Sequence, residues 1–336
     1  MIQGFNIRQK IEERELQLSP LAAQSVLSRG RIRYEKPCPI RTAFQRDRDR
    51  IIHCKAFRRL KHKTQVFIAP LGDHYVTRLT HTLEVSQLAR TIARSLYLNE
   101  DLTEAIGLGH DLGHTPFGHI GERTLSRVNP DGFRHNEQSL RMVEVLEGKG
   151  GLNLSWEVRD GILNHSGKGR AATLEGRVVG KADRIAYINH DIDDALRGGI
   201  LKPSELPASY LKVLGATHGE RIHTMIADLV AHSEGQPDIL TGDKVQEASD
   251  AMRSFLFERV YQDSWRSDEE KKCDFVLATL YEYFINHPAE MPLEFVTIVY
   301  KEGTARAVTD YVASMTDRFA MRMFNKLFIP DSFSAL

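Results

Sequence analysis

The sequence predicts a mostly α fold. Apolar residues recur at helical spacing in nearly every informative stretch, as at Leu83, Leu88 and Ile92. The alternating pattern of a half-buried strand is scarce, and clusters of glycine and proline mark loops between the helical stretches. One exception is 66–77, where a short β-hairpin is expected around Gly72 and Asp73.

Three successive parts are predicted along the chain. Residues 1–40 form an amino-terminal helical segment, and residues 41–200 form the core that carries the chemistry. Residues 201–336 form a carboxy-terminal helical region for scaffold or subunit contacts. The glycines and prolines at 198–207 favour a boundary there. Amphipathic patterns beyond it, with little chemistry on them, predict helices at 216–231, 243–266, 273–286 and 305–327.

The composition excludes several classes of protein. The chain has 336 residues, 41% of them hydrophobic, and is long enough to bury a large core. Lys+Arg and Asp+Glu both number 45, so no bulk charge indicates a nucleic-acid or membrane partner. Three cysteines are too few for a disulfide framework. No signal peptide or spanning segment is recognisable, which predicts a cytoplasmic protein without a membrane partner.

One local cluster of positive charge stands out. It consists of Arg58, Arg59, Lys61 and Lys63. The cluster is either a solvated surface or a binding surface, and binding is slightly favoured. Its ligand would be a triphosphate, or an activating nucleotide or single-stranded DNA at a subunit boundary.

The histidines are grouped. Ten of the 14 lie between His53 and His190. Several stand beside acids, in HDLGH at 110–114, HIGE at 119–122 and HNE at 135–137. Any one of them alone could be a hydrogen-bonded core imidazole or an exposed one. The grouping instead indicates a site with metal or acid–base chemistry.

The HDLGH motif follows a predicted helix. Asp101 with Glu104 resembles a capping box that starts this helix, 101–109, and its apolar residues run directly into His110 and Asp111. Neighbouring side chains on a helical turn diverge by about 100°. Both can therefore reach one ion only if other elements close the site, and the predicted helices around His81 and Asp183 can do so.

The residue types suggest the ion. Two imidazoles and two carboxylates, without a thiolate, favour a divalent metal ion with open water positions over a closed structural zinc. Mn or Mg is expected first, with Fe, Co, Ni or Zn as alternatives.

Together these residues resemble a known family. His81, the His110–Asp111 doublet and Asp183 resemble the H…HD…D signature of the HD superfamily. Five longer stretches resemble the dGTPase-like deoxynucleoside triphosphate triphosphohydrolases, a likeness that spans 19–199. They are RTAFQRDRDRIIHCKAFRRLKHKTQVF at 41–67, TRLTHTLEVSQLARTIAR at 77–94, GLGHDLGHTPFGHIGE at 107–122, FRHNEQSLR at 133–141 and ADRIAYINHDIDDA at 182–195.

The resemblance implies an HD-domain helical fold with additional carboxy-terminal helices. It also implies hydrolysis of a deoxynucleoside triphosphate, dGTP or several of them, to deoxynucleoside and tripolyphosphate. It further implies a homo-oligomer, a hexamer or a tetramer. The residue roles that it implies are metal ligation by His81, His110, Asp111 and Asp183, catalysis by His119, Glu122 and His135, and substrate binding by Arg78, Arg184, Tyr187, Gln65 and Asp191.

Helical spacing independently supports some of these roles. His119 and Glu122 are three residues apart and share a helical face, so the carboxylate can fix the tautomer of the imidazole and keep the ring protonated. Asp183 and Tyr187 are four apart and also share a face. Tyr187 could equally be a core aromatic residue, and Arg184 could be a surface arginine.

Two other classes of function compete with this interpretation. One is another HD phosphohydrolase, such as a nucleoside monophosphatase, an alarmone hydrolase or a cyclic-dinucleotide phosphodiesterase. The HDxGK signature of the last is absent, because His114 follows Gly113. The other is a non-catalytic regulator that responds to nucleotide or single-stranded DNA. The presence of the metal ligands, with His119 and Glu122, argues against it.

Overall fold

The computed structural model describes residues 7–65, 76–260 and 264–330, and for 264–267 the backbone alone. Over these residues it contains sixteen α-helices and no β-sheet, so the predicted mostly α fold is confirmed. The predicted hairpin at 66–77 lies almost entirely outside the described residues. At its ends, Thr64 and Thr77 form an isolated antiparallel bridge.

The helices are numbered here in the order in which they follow one another along the chain. The first eight are α1 (Ile7–Glu15), α2 (Ala43–His53), α3 (Lys55–Arg59), α4 (Arg78–Ser95), α5 (Glu100–Gly109), α6 (His119–Val128), α7 (His135–Arg141) and α8 (Trp156–Asn164). The remaining eight are α9 (Leu174–Arg197), α10 (Ala208–Leu214), α11 (His218–Ser233), α12 (Asp243–Val260), α13 (Ser264–Asn286), α14 (Leu293–Glu302), α15 (Thr304–Ser314) and α16 (Asp317–Phe328).

Helices α4, α5 and α9 form the centre of the fold. α4 packs against both α5 and α9, and α2 covers another side of α5. Leu88 and Ile92 of α4 are buried, as their spacing predicts. Leu83, which belongs to the same apolar pattern, is half exposed. It lies five residues before Leu88, which puts it about 140° away around the helix.

The predicted capping box at the start of α5 is wrong. Asn99 caps this helix, and its side chain accepts a hydrogen bond from the backbone N–H of Leu102 at 3.1 Å. The carboxylate of Asp101 instead accepts a hydrogen bond from Gln45 of α2 at 2.8 Å. Because Asn99 already satisfies a first-turn donor, the helix needs no cap from Asp101.

The carboxy-terminal helices differ from prediction in several places. The predicted single helix at 305–327 is wrong, because Thr316 is extended and separates α15 from α16. The Thr316 side chain accepts a hydrogen bond from the N–H of Phe319 at 3.2 Å and so caps α16. In addition, α13 begins at Ser264, before the predicted 273, and α14 was not predicted.

Two hydrophobic clusters form the core. The larger joins α2, α4, α5, α8 and α9, and it continues past residue 200 through Leu206 and Leu214 to Val260. The smaller joins α6 to α13, α15 and α16, with Ile120 and Leu277 among its members. The three-part division of the chain at residues 40 and 200 stays a prediction. Among the described residues, no helix is both long and apolar enough to cross a membrane.

Candidate active site

The four predicted metal ligands converge at the centre of the fold. His81 comes from α4, His110 and Asp111 follow α5, and Asp183 comes from α9. The donor atoms of His81, His110 and Asp111 lie within 4.8 Å of one another. Oδ1 of Asp183 lies 3.1 Å from His81 Nε2 and 4.0 Å from His110 Nε2. The packing of three helices therefore assembles a set of donors from distant parts of the chain.

The two imidazoles are oriented as metal ligands. Nδ1 of His110 donates to the carbonyl oxygen of Gly107 at 2.7 Å, which leaves Nε2 as a buried acceptor with no hydrogen-bond partner in the described structure. Nδ1 of His81 lies 3.0 Å from Nε2 of His190. In metal-binding histidines, the ring nitrogen that does not bind the metal typically forms a hydrogen bond of this kind. Burying a hydrogen-bond acceptor without a partner costs free energy, and a cation bound to His110 Nε2 would remove that cost. The ring nitrogens therefore fit a bound cation.

The protonation states of the cluster also fit a cation. Burial raises the pKa of Asp111, but the charges of Arg78 and the nearby histidines outweigh burial and hold this pKa well below its usual range. Burial also raises the pKa of Asp183, but its hydrogen bond with His81 and the nearby histidines together outweigh burial and hold this pKa below its usual value. Burial lowers the pKa of His81. Ionised carboxylates are the form in which Asp111 and Asp183 would bind a metal.

Glu122 of α6 lies between two histidines. Its Oε1 accepts a hydrogen bond from the backbone N–H of His135 and lies 2.9 Å from His135 Nδ1. Its Oε2 lies 3.6 Å from Nδ1 of His119, whose side chain is 64% exposed. The expected pair of His119 and Glu122 is therefore present, but the shorter contacts of Glu122 are with His135. Burial lowers the pKa of His135, but the hydrogen bond to Glu122 and the charges of Glu122 and Asp111 together outweigh burial and raise this pKa above the usual value.

Two histidines that the sequence analysis did not assign complete this cluster. The ring of His114 stacks on His135 with centroids 4.9 Å apart. His165, at the end of α8, has its Nε2 3.3 Å from His135 Nε2, and its Nδ1 donates to the carbonyl of Ile162 at 2.7 Å. The HDLGH motif was the available signal for His114. Nothing in the sequence around His165 distinguishes it.

The loop between His114 and His119 folds closely against the site. Gly118 has a φ of 58°, and a Cβ atom there would lie 2.9 Å from the carbonyl oxygen of Gln65. A side chain at this position is thus excluded by both conformation and space. Phe117 also has a φ of 58°, and its N–H donates to Oδ1 of Asp317 at 3.0 Å. The first residue of α16 therefore holds this loop.

A cavity of about 690 Å³ lies beside the candidate metal ligands and beside the histidines around Glu122. All five predicted substrate-binding residues line it, together with five of the predicted metal-binding and catalytic residues. His110 and Glu122 do not line it. The ten residues are Gln65, Arg78, Arg184, Tyr187, Asp191, His81, Asp111, Asp183, His119 and His135.

Two of the predicted substrate-binding residues form polar contacts with other side chains of the site. Arg78 is buried, and its Nη1 donates to Oδ2 of Asp111 at 2.7 Å. Asp191 is also buried, with Oδ1 2.8 Å from Nδ1 of His190. Since His190 contacts His81, Asp191 is connected to the metal ligands through one intervening ring.

The other three predicted substrate-binding residues face the cavity more freely. The buried Oε1 of Gln65 has no hydrogen-bond partner in the described structure. Arg184 is 39% exposed and lies 3.5 Å from a carboxylate oxygen of Asp250. Tyr187 is half-buried, and burial raises its pKa to about 12, so its hydroxyl stays neutral. All three can meet a ligand in this cavity.

The carboxy-terminal helices also contribute to the cavity. Arg253 and Phe257 of α12 and Glu270 of α13 line it. Sequence analysis predicted little chemistry for these helices. Charged residues on an amphipathic helix resemble an ordinary solvated face, so only the packing of α12 and α13 beside the site reveals their position.

The predicted basic cluster is only partly present. Lys63 is fully buried, and its Nζ donates to the carbonyl oxygens of His114 and, at 2.9 Å, of Ala313. Burial lowers the pKa of Lys63 to about 7. The prediction that Lys63 belongs to a binding surface is therefore wrong, because its side chain points into the protein. Arg58 and Lys61 are exposed.

Comparison with known proteins identifies the domains. The family model described as HD domain matches residues 78–188, and the one described as phosphohydrolase-associated domain matches residues 239–326. Among solved structures, a phosphohydrolase from Bacteroides thetaiotaomicron is similar with a TM-score of 0.52. This likeness covers 84% of this chain and 69% of that chain at 18% identity, and it shows the fold alone.

Relatives match almost the entire chain. A deoxyguanosinetriphosphate triphosphohydrolase-like protein from Caldanaerobacter subterraneus subsp. tengcongensis is 58% identical over 328 residues, 97% of either chain. One of the same name from Clostridium perfringens is 51% identical over 337 residues, covering 97% of this chain and 98% of the relative. The chain therefore belongs to the deoxyguanosinetriphosphate triphosphohydrolase-like family of HD-domain phosphohydrolases.

Proposed function

We propose that this chain hydrolyses deoxynucleoside triphosphates, dGTP or several of them, to deoxynucleoside and tripolyphosphate, with a divalent ion as cofactor. One observation carries the proposal. One cavity is lined by three of the donors that fit a metal ion, His81, Asp111 and Asp183, and also by His119 and His135, the two histidines on either side of Glu122. The names of the relatives point to the same chemistry.

The cofactor would be held by His81, His110, Asp111 and Asp183. This set of nitrogen and oxygen donors suits Mn or Mg, with Fe, Co, Ni or Zn as alternatives. When bound, a divalent ion polarises a phosphoryl oxygen and makes bound water more acidic.

The proposed reaction needs a proton donor. Water supplies the oxygen that joins the α-phosphorus, the bond between this phosphorus and the sugar 5′ oxygen breaks, and the departing oxygen takes up a proton. His119 is the proposed donor, because it lines the cavity and lies 3.6 Å from Glu122. His135 is the alternative, since it is closer to Glu122.

Residues that line the cavity would neutralise the charge of the triphosphate. Arg184 and the hydroxyl of Tyr187 can donate to phosphate oxygens. Arg78 adds positive charge next to Asp111, and Gln65 can accept a hydrogen bond from the sugar. We assign Asp191 an indirect role in the same pocket, through His190.

Product analysis tests the proposal. The purified protein is incubated with each deoxynucleoside triphosphate and Mn or Mg, and the products are separated by anion exchange. Deoxynucleoside together with tripolyphosphate supports the proposal. Nucleoside monophosphate, diphosphate or free phosphate contradicts it, and nucleoside released from monophosphate substrates alone would favour a nucleoside monophosphatase. Tight nucleotide binding without turnover would favour a non-catalytic regulator.

A His119→Ala variant tests the donor. General acid catalysis contributes about 10² to 10⁴ in rate, so this variant is expected to lose that much in kcat. Metal content and nucleotide binding should persist, because His119 lies outside the predicted ligand set. Near-normal turnover would mean that His119 is not the proton donor, and His135 would be the next residue to test.

Two proposals concern partners. We propose a homo-oligomer, a hexamer or tetramer, in which the exposed Arg58 and Lys61 lie at a subunit boundary. A nucleotide activator or single-stranded DNA would bind there through its phosphates.

A further inference from the structure

The two histidines assigned to the metal site differ in what their second ring nitrogen contacts. Nδ1 of His110 donates to the backbone carbonyl of Gly107 at 2.7 Å, whereas Nδ1 of His81 lies 3.0 Å from Nε2 of His190. A carbonyl oxygen only accepts hydrogen bonds, so it fixes the ring proton of His110 at Nδ1. An imidazole nitrogen either donates or accepts, so the position of the proton on His81 depends on His190.

The position of this proton decides whether His81 can be a ligand. Its Nε2 faces the other donors, 3.1 Å from Oδ1 of Asp183 and 3.9 Å from Oδ2 of Asp111. Nε2 can bind an ion only through its lone pair, so the proton must be at Nδ1 and must be donated to His190. The Nε2 atom of His190 then has to accept, which requires the proton of that ring to be at its Nδ1.

Asp191 favours this arrangement of protons. Its Oδ1 lies 2.8 Å from Nδ1 of His190, although the pair lacks the alignment of a regular hydrogen bond. At this distance the carboxylate repels a lone pair on Nδ1 and attracts a proton there. The carboxylate therefore stabilises the tautomer of His190 in which Nε2 accepts. Asp191, His190 and His81 thus form a chain of polar contacts that ends at the metal ligands.

All three members of this chain are buried. The exposed fractions of His81, His190 and Asp191 are 1%, 3% and 1%. His81 belongs to α4 and the other two to α9, and these helices pack against each other at the centre of the fold. A side chain that fills the volume of His190 without an acceptor would therefore leave the N–H of His81 buried and unpaired, which costs free energy.

We propose that His190 is a positioning residue that holds His81 in its metal-binding tautomer, and that Asp191 in turn holds His190. The inference rests on the metal site of the proposed function, and it extends that site beyond its four ligands. Hydrogen-bond partners of metal-binding histidines orient the ring and make it a stronger ligand. Loss of such a partner typically weakens metal binding by about 10- to 100-fold, and the same loss is expected here.

Metal titration of variants tests the proposal without substrate. The dissociation constant for Mn²⁺ is measured by calorimetry on metal-free protein. His190→Phe keeps a buried ring without an acceptor and is expected to bind Mn²⁺ about 10- to 100-fold more weakly than the wild type. His190→Gln can place an amide oxygen near the position of Nε2 and should restore most of the affinity. His223→Phe, which changes an exposed histidine of α11, is the control and should bind as the wild type does.

A second measurement uses the wild-type chain and so does not depend on the folding of a variant. Isotopic labelling of the histidine nitrogens and nuclear magnetic resonance of the Zn²⁺-loaded protein show which ring nitrogens carry protons. His190 is expected to be protonated at Nδ1 alone. A proton on Nε2 of His190 overturns the proposal, as does wild-type affinity in His190→Phe or equally weak binding by His190→Gln and His190→Phe. These outcomes leave the proposed cofactor intact, whereas a wild-type chain that binds no metal would overturn both.

Discussion

Replacing Asp317 by alanine tests whether the carboxy-terminal helices position the loop between His114 and His119, the proposed proton donor. The Asp317 side chain is almost buried at the start of α16. Its Oδ2 accepts hydrogen bonds from the backbone N–H of Thr64, at 2.9 Å, and from the Thr64 hydroxyl, while Oδ1 accepts from the N–H of Phe117. One carboxylate thus connects α16 to the chain before Gln65 and to the loop before His119.

The structure gives the expected size of the effect. Asp317→Ala leaves two backbone donors without their acceptor, each worth about 1–3 kcal/mol, so the free energy of unfolding should fall by roughly 2–6 kcal/mol. Phe117 also has a φ of 58°, a conformation that needs support from its surroundings. When that support is lost, His119 should shift. A displacement of about 1 Å can cost on the order of 10²-fold in rate.

Three measurements on the Asp317→Ala variant separate these effects. Denaturant unfolding gives the loss of stability, steady-state kinetics gives kcat, and elemental analysis gives metal content, which should be unchanged. Asp268→Ala is the matched control, because Asp268 is exposed and its ion pair among the described residues is with the exposed Lys271, so the change in stability should be less than about 0.5 kcal/mol. Wild-type kcat and stability in Asp317→Ala would refute the reasoning, and loss of metal would mean that Asp317 acts on the ligands instead.

Three further predictions follow from other parts of the structure. Asp183→Ala should empty the metal site and leave a helical protein by circular dichroism; full metal occupancy would contradict the ligand assignment. Lys63 has a pKa of about 7 in the folded protein, against a usual 10.5. Between these pH values the unfolded chain binds more protons than the folded one. The free energy of unfolding should therefore rise with pH across that window. Chemical denaturation of Lys63→Met should lack this rise of a few kcal/mol, and an identical rise in both proteins would locate its cause elsewhere. Light scattering should find a homo-oligomer. A fully active monomer at micromolar concentration would contradict this expectation.

The sequence predicted what depends on local pattern. Apolar spacing identified the long helices, because burial of one helical face requires it. The HD doublet with His81 and Asp183 identified the donor set, and these four side chains do lie together in the structure. Their meeting could not be derived from spacing alone, since His81 and Asp183 are far apart in the chain. The resemblance to a known family supplied that step.

The features that prediction missed depend on tertiary contacts. His165 is a single histidine at a helix end, and only the packing of α7 against α8 brings it next to His135. Lys63 belongs to a run of basic residues, yet its ammonium group points inward to backbone carbonyls. The break at Thr316 carries neither glycine nor proline, so an uninterrupted apolar pattern concealed it.

The two clusters of the site belong to different parts of the core. The metal-ligand candidates lie on α4, on α9 and directly after α5, and these three helices belong to the larger hydrophobic cluster. Helix α6, which carries His119 and Glu122, packs in the smaller cluster with α13, α15 and α16. The distance between His119 and the candidate metal ligands is therefore set by how these two cores meet. Lys63 and Asp317 both lie at that junction, so the carboxy-terminal helices help to define the site even though the sequence motifs end before them.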